Sequence, residues 1–235
     1  MAFYLAMTAA ELQHTAVLPQ KVAYMACHFS PYATGLSNLP DTLPEDSLII
    51  LNDRTPICGH DPQRIARQLH QLLDNNHAYG VLLDFQRPDC EETAALVQVL
   101  TEQLSCPLAV SQQYAPEGVA VFLPPIPPDV PAEEVLVPWK SHEIWLDVAP
   151  GHMGITLTEQ GAKDTPFTCS ETGIWHTEPD LCCHYQIQTD SESAHFFLYR
   201  TQEDIQNLLE KAKAFGVTTA VGLYQELAAS DFEKL

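Results

Sequence analysis

Apolar and polar positions along this chain fall into short segments whose period switches between two and about 3.6. Residues 3–7 allow a short strand, and Thr8 with Glu11 three positions later has the capping-box order of a helix start. Residues 21–29 (KVAYMACHF) predict the first clear strand, with Tyr24, Ala26 and His28 on one face and His28 at the exit. Residues 30–45 carry Pro31, Gly35, Pro40 and Pro44, which predicts a long loop over one end of the sheet. Residues 47–52 (SLIILN) predict a second strand, ending in Asn52, Asp53 and Arg54. Asp61 then caps a helix over 62–75, with Pro62 at its first position and Ile65, Leu69, Leu72 and Leu73 on the buried stripe.

Strand and helix go on alternating. Residues 79–85 predict a strand, and Asp89 caps a helix over 90–104 that turns Ala94, Leu96, Val97 and Leu100 inward. Residues 108–114 and 118–123 read as strands, the first with Gln112 and Tyr114 at its exit. The proline-dense stretch 124–131 can only be a stiff connector. Residues 144–148 give a further strand with Asp147 near its end. Beyond Gly154 the pattern turns antiparallel: ribbons at 154–159 and 168–175 about the Gly161 turn, then a hairpin of 184–189 with 194–199. Thr201, with Asp204 three positions on, opens a helix that ends at Gly216, residues 217–224 close the sheet, and 225–235 trail as an acidic tail.

The chemistry gathers around residues 79–88 (YGVLLDFQRP). A buried run, Val81 to Leu83, ends in Asp84, Phe85 and Gln86 before Pro88 stops the ladder. Alternation puts Asp84 and Gln86 on one face and Phe85 on the other, at the carboxyl end of a parallel strand, where α/β enzymes place their catalytic groups.

This stretch resembles a degraded form of the glycoside hydrolase family 18 (chitinase-like) signature D-G-x-D-x-D-x-E. Gly80 and Asp84 match it; Tyr79 and Leu82 stand at the earlier aspartates, and Gln86 stands at the catalytic glutamic acid. The family's acid must give a proton to the glycosidic oxygen, and an amide has none to give. The resemblance therefore implies the family's fold and argues against its reaction. The tail is similar to the family's last segment: Thr201, Glu203, Asp204 and Ile205 open the helix, and Leu223 or Tyr224 falls at the sugar-stacking tryptophan. Together these imply an α/β, TIM-barrel-like (β/α) barrel over 1–235, with a β-rich insertion at 151–183. About seven strands can be counted, one short of a complete barrel.

In such a barrel the strand exits place His28, Asp53, Asp84, Gln86, Gln112, Tyr114, Asp147, Tyr199, Tyr224 and Glu226 around one rim. Asp84, Asp147 and Glu226 are the candidate catalytic carboxylates, since a glycosidase needs two. Asp84, Gln86, His28, Asp53, Gln112, Tyr114, Tyr199 and Tyr224 are the candidate substrate contacts.

Composition narrows the partners. Lys and Arg number 11 and Asp and Glu 31, a net charge of −20, which disfavours nucleic acid and anionic membranes. Seven cysteines, an odd count with several inside apolar runs, fit reduced, buried thiols and a cytoplasmic setting. With no basic n-region, the N-terminus makes a poor signal peptide. No nucleotide-binding glycine loop or zinc-type cysteine spacing is present, so no cofactor is expected. Asp53, His60 and Asp61 read as turn and cap residues, with no metal expected. Three functions follow in order of preference: an inert barrel binding a carbohydrate or glycan fragment, a glycoside hydrolase with relocated carboxylates, or an interaction module whose mouth is plugged by residues 30–45.

Overall fold

The computed structural model describes residues 1–88, 91–166, 168 and 173–227. In chain order the elements begin with β1 (Ala2–Met7), α1 (Ala9–His14), β2 (Val22–Phe29), β3 (Leu36–Ser37), β4 (Leu48–Asn52), α2 (Pro62–Asn76) and β5 (Gly80–Asp84). There follow α3 (Glu91–Gln103), β6 (Leu108–Ser111), β7 (Ala120–Leu123), α4 (Ala132–Leu136) and β8 (Ile144–Val148). An antiparallel group, β9 (Met153–Thr158), β10 (Gly161–Thr165), β11 (His176–Glu178), β12 (Cys183–Thr189) and β13 (Ser193–Tyr199), precedes α5 (Gln202–Lys213), β14 (Val217–Leu223) and α6 (Tyr224–Leu227).

The parallel strands run β1-β14-β8-β7-β6-β5-β4-β2, and a β1–β2 pairing joins the two ends. The barrel is closed. The strand count from sequence falls short by one because the N-terminal segment, scarcely patterned, is the strand that completes the ring. Inward side chains, among them Tyr4, Leu48, Ile50, Leu82, Phe122 and Trp145, fill the interior. Outward ones pack under α2 and α3 on one flank, and under α4 and α5 on the other. Gly80 is required where β5 begins, because a Cβ there would lie 2.4 Å from the carbonyl oxygen of Pro107.

Several sequence expectations are corrected. Tyr24 and His28 do not share a face. A one-residue bulge between Tyr24 and Cys27, in the pairing with β4, turns Tyr24 outward and His28 inward. In α3, Ala94 is exposed and Thr93 takes its buried place; the expected Asp89 cap lies outside the described residues. β6 stops at Ser111, and Gln112 to Tyr114 form a turn. β9 pairs with β10, which begins at Gly161, and with β13; of the expected ribbon 168–175, Gly173 to Trp175 are not strand and 169–172 lie outside the described residues. The antiparallel sheet spans Met153–Tyr199 and includes the hairpin of β12 and β13. After β14 the chain forms α6 and buries Leu227, where the expected tail 225–235 begins; residues 228–235 lie outside the described residues.

The segment between β2 and β4 also departs from expectation. It carries no helix, and it runs along the barrel's flank where a cover over the mouth is expected. The Tyr24 hydroxyl donates to the Asn38 carbonyl (2.6 Å), the Leu36 N–H to Gln68 Oε1 (2.9 Å) and the Leu43 N–H to Asn76 Oδ1 (2.7 Å). The last two hold the segment against α2. Of this segment only Asn38 reaches the mouth, which stays open. Among the described residues no helix is long and apolar enough to cross a membrane.

Candidate functional site: a carboxylate-lined cleft at the strand exits

Strand alternation carries Asp84 and Gln86 inward above Leu82, while Phe85 turns out against Phe29 and Tyr114. They open into a cleft of about 620 Å³ at the carboxyl ends of the parallel strands. Its walls are largely apolar, with Ala6, Met25, Ile50, Phe122, Val221 and Leu223 contributing. His28, Asn52, Asp53, Arg54 and Asp147 add polar groups, and the start of α1 closes one side.

The backbone here is held by side chains that replace missing ladder bonds. Asn52 Nδ2 donates to the carbonyls of Met25 and Cys27, both at 3.1 Å, and so spans the β2 bulge. Ser111 Oγ accepts from the Phe85 N–H (2.9 Å) and donates to the Leu83 carbonyl (3.1 Å), extending the pairing of β5 past its last strand residue. Asp53, 4% exposed, accepts the Gln86 N–H on Oδ1 (3.0 Å) and the Arg87 N–H on Oδ2 (2.7 Å). The Arg87 guanidinium binds the carbonyls of Asp53 and Arg54, both at 2.8 Å. Sequence patterning misses Asn52 and Ser111 as anchors. The only available signal is a small polar residue where an apolar strand ends.

Within the cleft the Gln86 side-chain amide donates to Asp84 Oδ1. Desolvation in the apolar cleft raises the Asp84 pKa, the Gln86 hydrogen bond opposes that rise, and the Asp53 charge adds to it. Asp147 is pushed up to about 7, chiefly by burial; the Val148 backbone hydrogen bond lowers it, and the charges of Asp84 and Glu226 raise it further. Three carboxylates thus share one field, and among the described residues neither Asp84 nor Asp147 forms a salt bridge. His28 Nδ1 lies 3.0 Å from the Ala26 carbonyl.

Of the residues expected around the rim, His28, Asp53, Asp84, Gln86 and Asp147 come together in the cleft. Glu226 stands on α6, exposed and within electrostatic reach of Asp147. The others go elsewhere. Gln112 is exposed in the turn after β6. Tyr114 folds back into the outer core, its hydroxyl donating to the carbonyls of Arg87 (3.0 Å) and Pro88 (2.9 Å). Tyr199 sits on the antiparallel sheet against His152 and Trp175. Of the two residues at the end of β14, Leu223 lines the cleft and Tyr224 packs on the outer cluster. Asp53, His60 and Asp61 have separate partners: His60 Nε2 lies 3.0 Å from the Ser30 carbonyl, and Asp61 caps α2.

No protein-family model and no curated protein matches the chain. Solved structures do match it. A glycoside hydrolase family 18 N-acetylglucosaminidase from Paenibacillus barengoltzii aligns with a TM-score of 0.65, over 99% of this chain and 98% of its own, at 10% identity. The barrel is chitinase-like. A family 18 chitinase from Cycas revoluta, solved in complex with (GlcNAc)3, gives a TM-score of 0.61 over 100% of this chain and 98% of its own, at 10% identity. A chitinase-like agglutinin from Robinia pseudoacacia gives 0.60 over 93% of each chain, at 11% identity. At these identities the likeness is one of fold, and the chain has a divergent version of the chitinase-like barrel, with an open mouth.

Proposed function

We propose that this chitinase-like barrel binds a carbohydrate or glycan fragment across Asp84 and Gln86 without cleaving it. The observation that carries the reading is the Gln86 amide, set into the cleft and bonded to Asp84. Glycosidic cleavage needs a group that hands a proton to the leaving oxygen, and a carboxamide at that place supplies none. The cleft has the size and the apolar lining with few polar groups that suit a small ligand. The same fold occurs in a protein described as an agglutinin and in a chitinase holding (GlcNAc)3, so a binding role for the barrel has parallels. Calorimetric titration with N-acetylglucosamine oligomers and peptidoglycan fragments, with product analysis of the same samples, tests it. Saturable binding, weakened by Asp84→Ala and without products, is expected; no binding to any of these sugars would overturn it.

A second reading, a glycoside hydrolase with relocated carboxylates, is favoured by one observation. Asp147, with its pKa near 7, holds a proton close to neutrality beside Asp84 and Glu226. It requires slow product formation that disappears in Asp147→Asn. Absence of products from the unmodified protein after prolonged incubation removes it.

A further inference from the structure

Resting on the glycan-binding reading, we propose that the preferred sugar carries a free, protonated amine, as glucosamine oligomers do, in place of the neutral acetamide of N-acetylglucosamine. The argument starts from what the cleft leaves unpaired. Asp53 is consumed by the loop, with both of its oxygens accepting backbone N–H groups. Asp84 has one oxygen engaged by the Gln86 amide. Asp147 faces the same space from β8, three strands away in the barrel, and Glu226 adds its field from α6. His28 on β2 also faces this space, and Arg54 after β4, exposed, is the single Lys or Arg among the described residues lining the cleft. Arg87 is occupied with backbone carbonyls.

The cleft therefore holds more negative than positive groups above an apolar floor of Ile50, Leu82 and Phe122, where water screens them poorly. A sugar ammonium brings a charge and three N–H donors, all of which these carboxylates can accept. An acetamide brings one donor and a carbonyl oxygen, and that oxygen finds no donor on an ionised carboxylate. The chain's net charge of −20 draws cationic ligands toward the mouth from a distance.

A pH signature follows from the same geometry. A bound cation favours ionised Asp147, whose pKa stands at about 7, so binding expels its proton. Affinity for the amine is therefore greatest in the interval near neutrality where Asp147 is ionised and the sugar amine still holds its proton, and it falls on either side. An acetylated oligomer lacks the fall on the basic side.

The test is calorimetry on the full chain with glucosamine and N-acetylglucosamine oligomers of equal length, near neutral pH, in two buffers of different ionisation heat. The amine oligomer should bind on the order of tenfold tighter, with a proton exchange that differs from that of the acetylated oligomer, and the ratio should collapse toward one in Asp84→Asn/Asp147→Asn. Equal or tighter binding of the acetylated oligomer overturns the amine inference and leaves glycan binding standing. Binding of neither overturns both. An amine preference that survives the double variant traces to the chain's overall charge and overturns the assignment to this cleft; either single variant makes the same comparison should the double variant fail to fold.

Discussion

Replacing Asp147 with Asn should make the protein more stable at high pH and leave it unchanged at low pH. Asp147 stands on β8 beside Trp145, half-buried, with its pKa raised from 3.8 to about 7. The folded state therefore holds a proton that the unfolded chain has already released over the window from about pH 4 to about pH 7. Stability from this group is complete below pH 4 and is lost as pH rises through 7. At about 1.4 kcal/mol per pKa unit the shift corresponds to ~4 kcal/mol. Water in the open cleft screens part of that, so about 2–4 kcal/mol is the working figure. An amide of the same shape carries no charge and escapes the penalty. Thermal melts of the two proteins from pH 4 to pH 8 should coincide at the acidic end. They should separate toward the basic end, with the variant melting higher by roughly 5–15 °C for a chain of this size. Parallel curves across the whole range would refute the claim that Asp147 is a strained carboxylate in an apolar cleft.

Other substitutions probe the framework. Gln86→Glu sets a second carboxylate against Asp84 in place of a hydrogen-bond donor, so the variant should lose about 1–3 kcal/mol at pH 8 and recover most of it near pH 5, when the pair shares a proton, as read by urea denaturation. Asp53→Ala removes the acceptor for two backbone N–H groups and should cost about 2–3 kcal/mol while weakening glycan binding, because the segment carrying Gln86 loses its anchor. Arg200→Met strips the donors from the carbonyls of Ile126, Pro127, Leu181 and Cys182, which join the proline connector to the antiparallel sheet; a loss of about 3–5 kcal/mol is expected in denaturant titration.

Much of this architecture is legible in the sequence because burial imposes a period. The stripe of Ile65, Leu69, Leu72 and Leu73 gives α2, and the run into Asp84, Phe85 and Gln86 gives both β5 and the direction of its polar side chains. Where tertiary contacts override period, the pattern misleads. The β2 bulge depends on Asn52 bonding across it, a contact 25 residues away in sequence, and no local signal reverses His28 relative to Tyr24. Tyr114 follows strand-like residues, yet it is turned into the core by carbonyls of the segment after β5. Arg200 looks like an ordinary charged residue between a strand and a helix cap, and only the fold brings four carbonyls around it. The rim carboxylates are visible one at a time, but their shared field comes from barrel closure, to which β1 contributes the final pairing.

The most direct measurement of the central claim is a crystal structure of the chain grown with a glucosamine or N-acetylglucosamine oligomer long enough to cross the mouth. The account requires an intact sugar chain lying over Asp84, with the Gln86 amide still bonded to that carboxylate. A cleaved sugar in the cleft, or an oligomer that is bound away from the strand exits while the cleft stays empty, would contradict it.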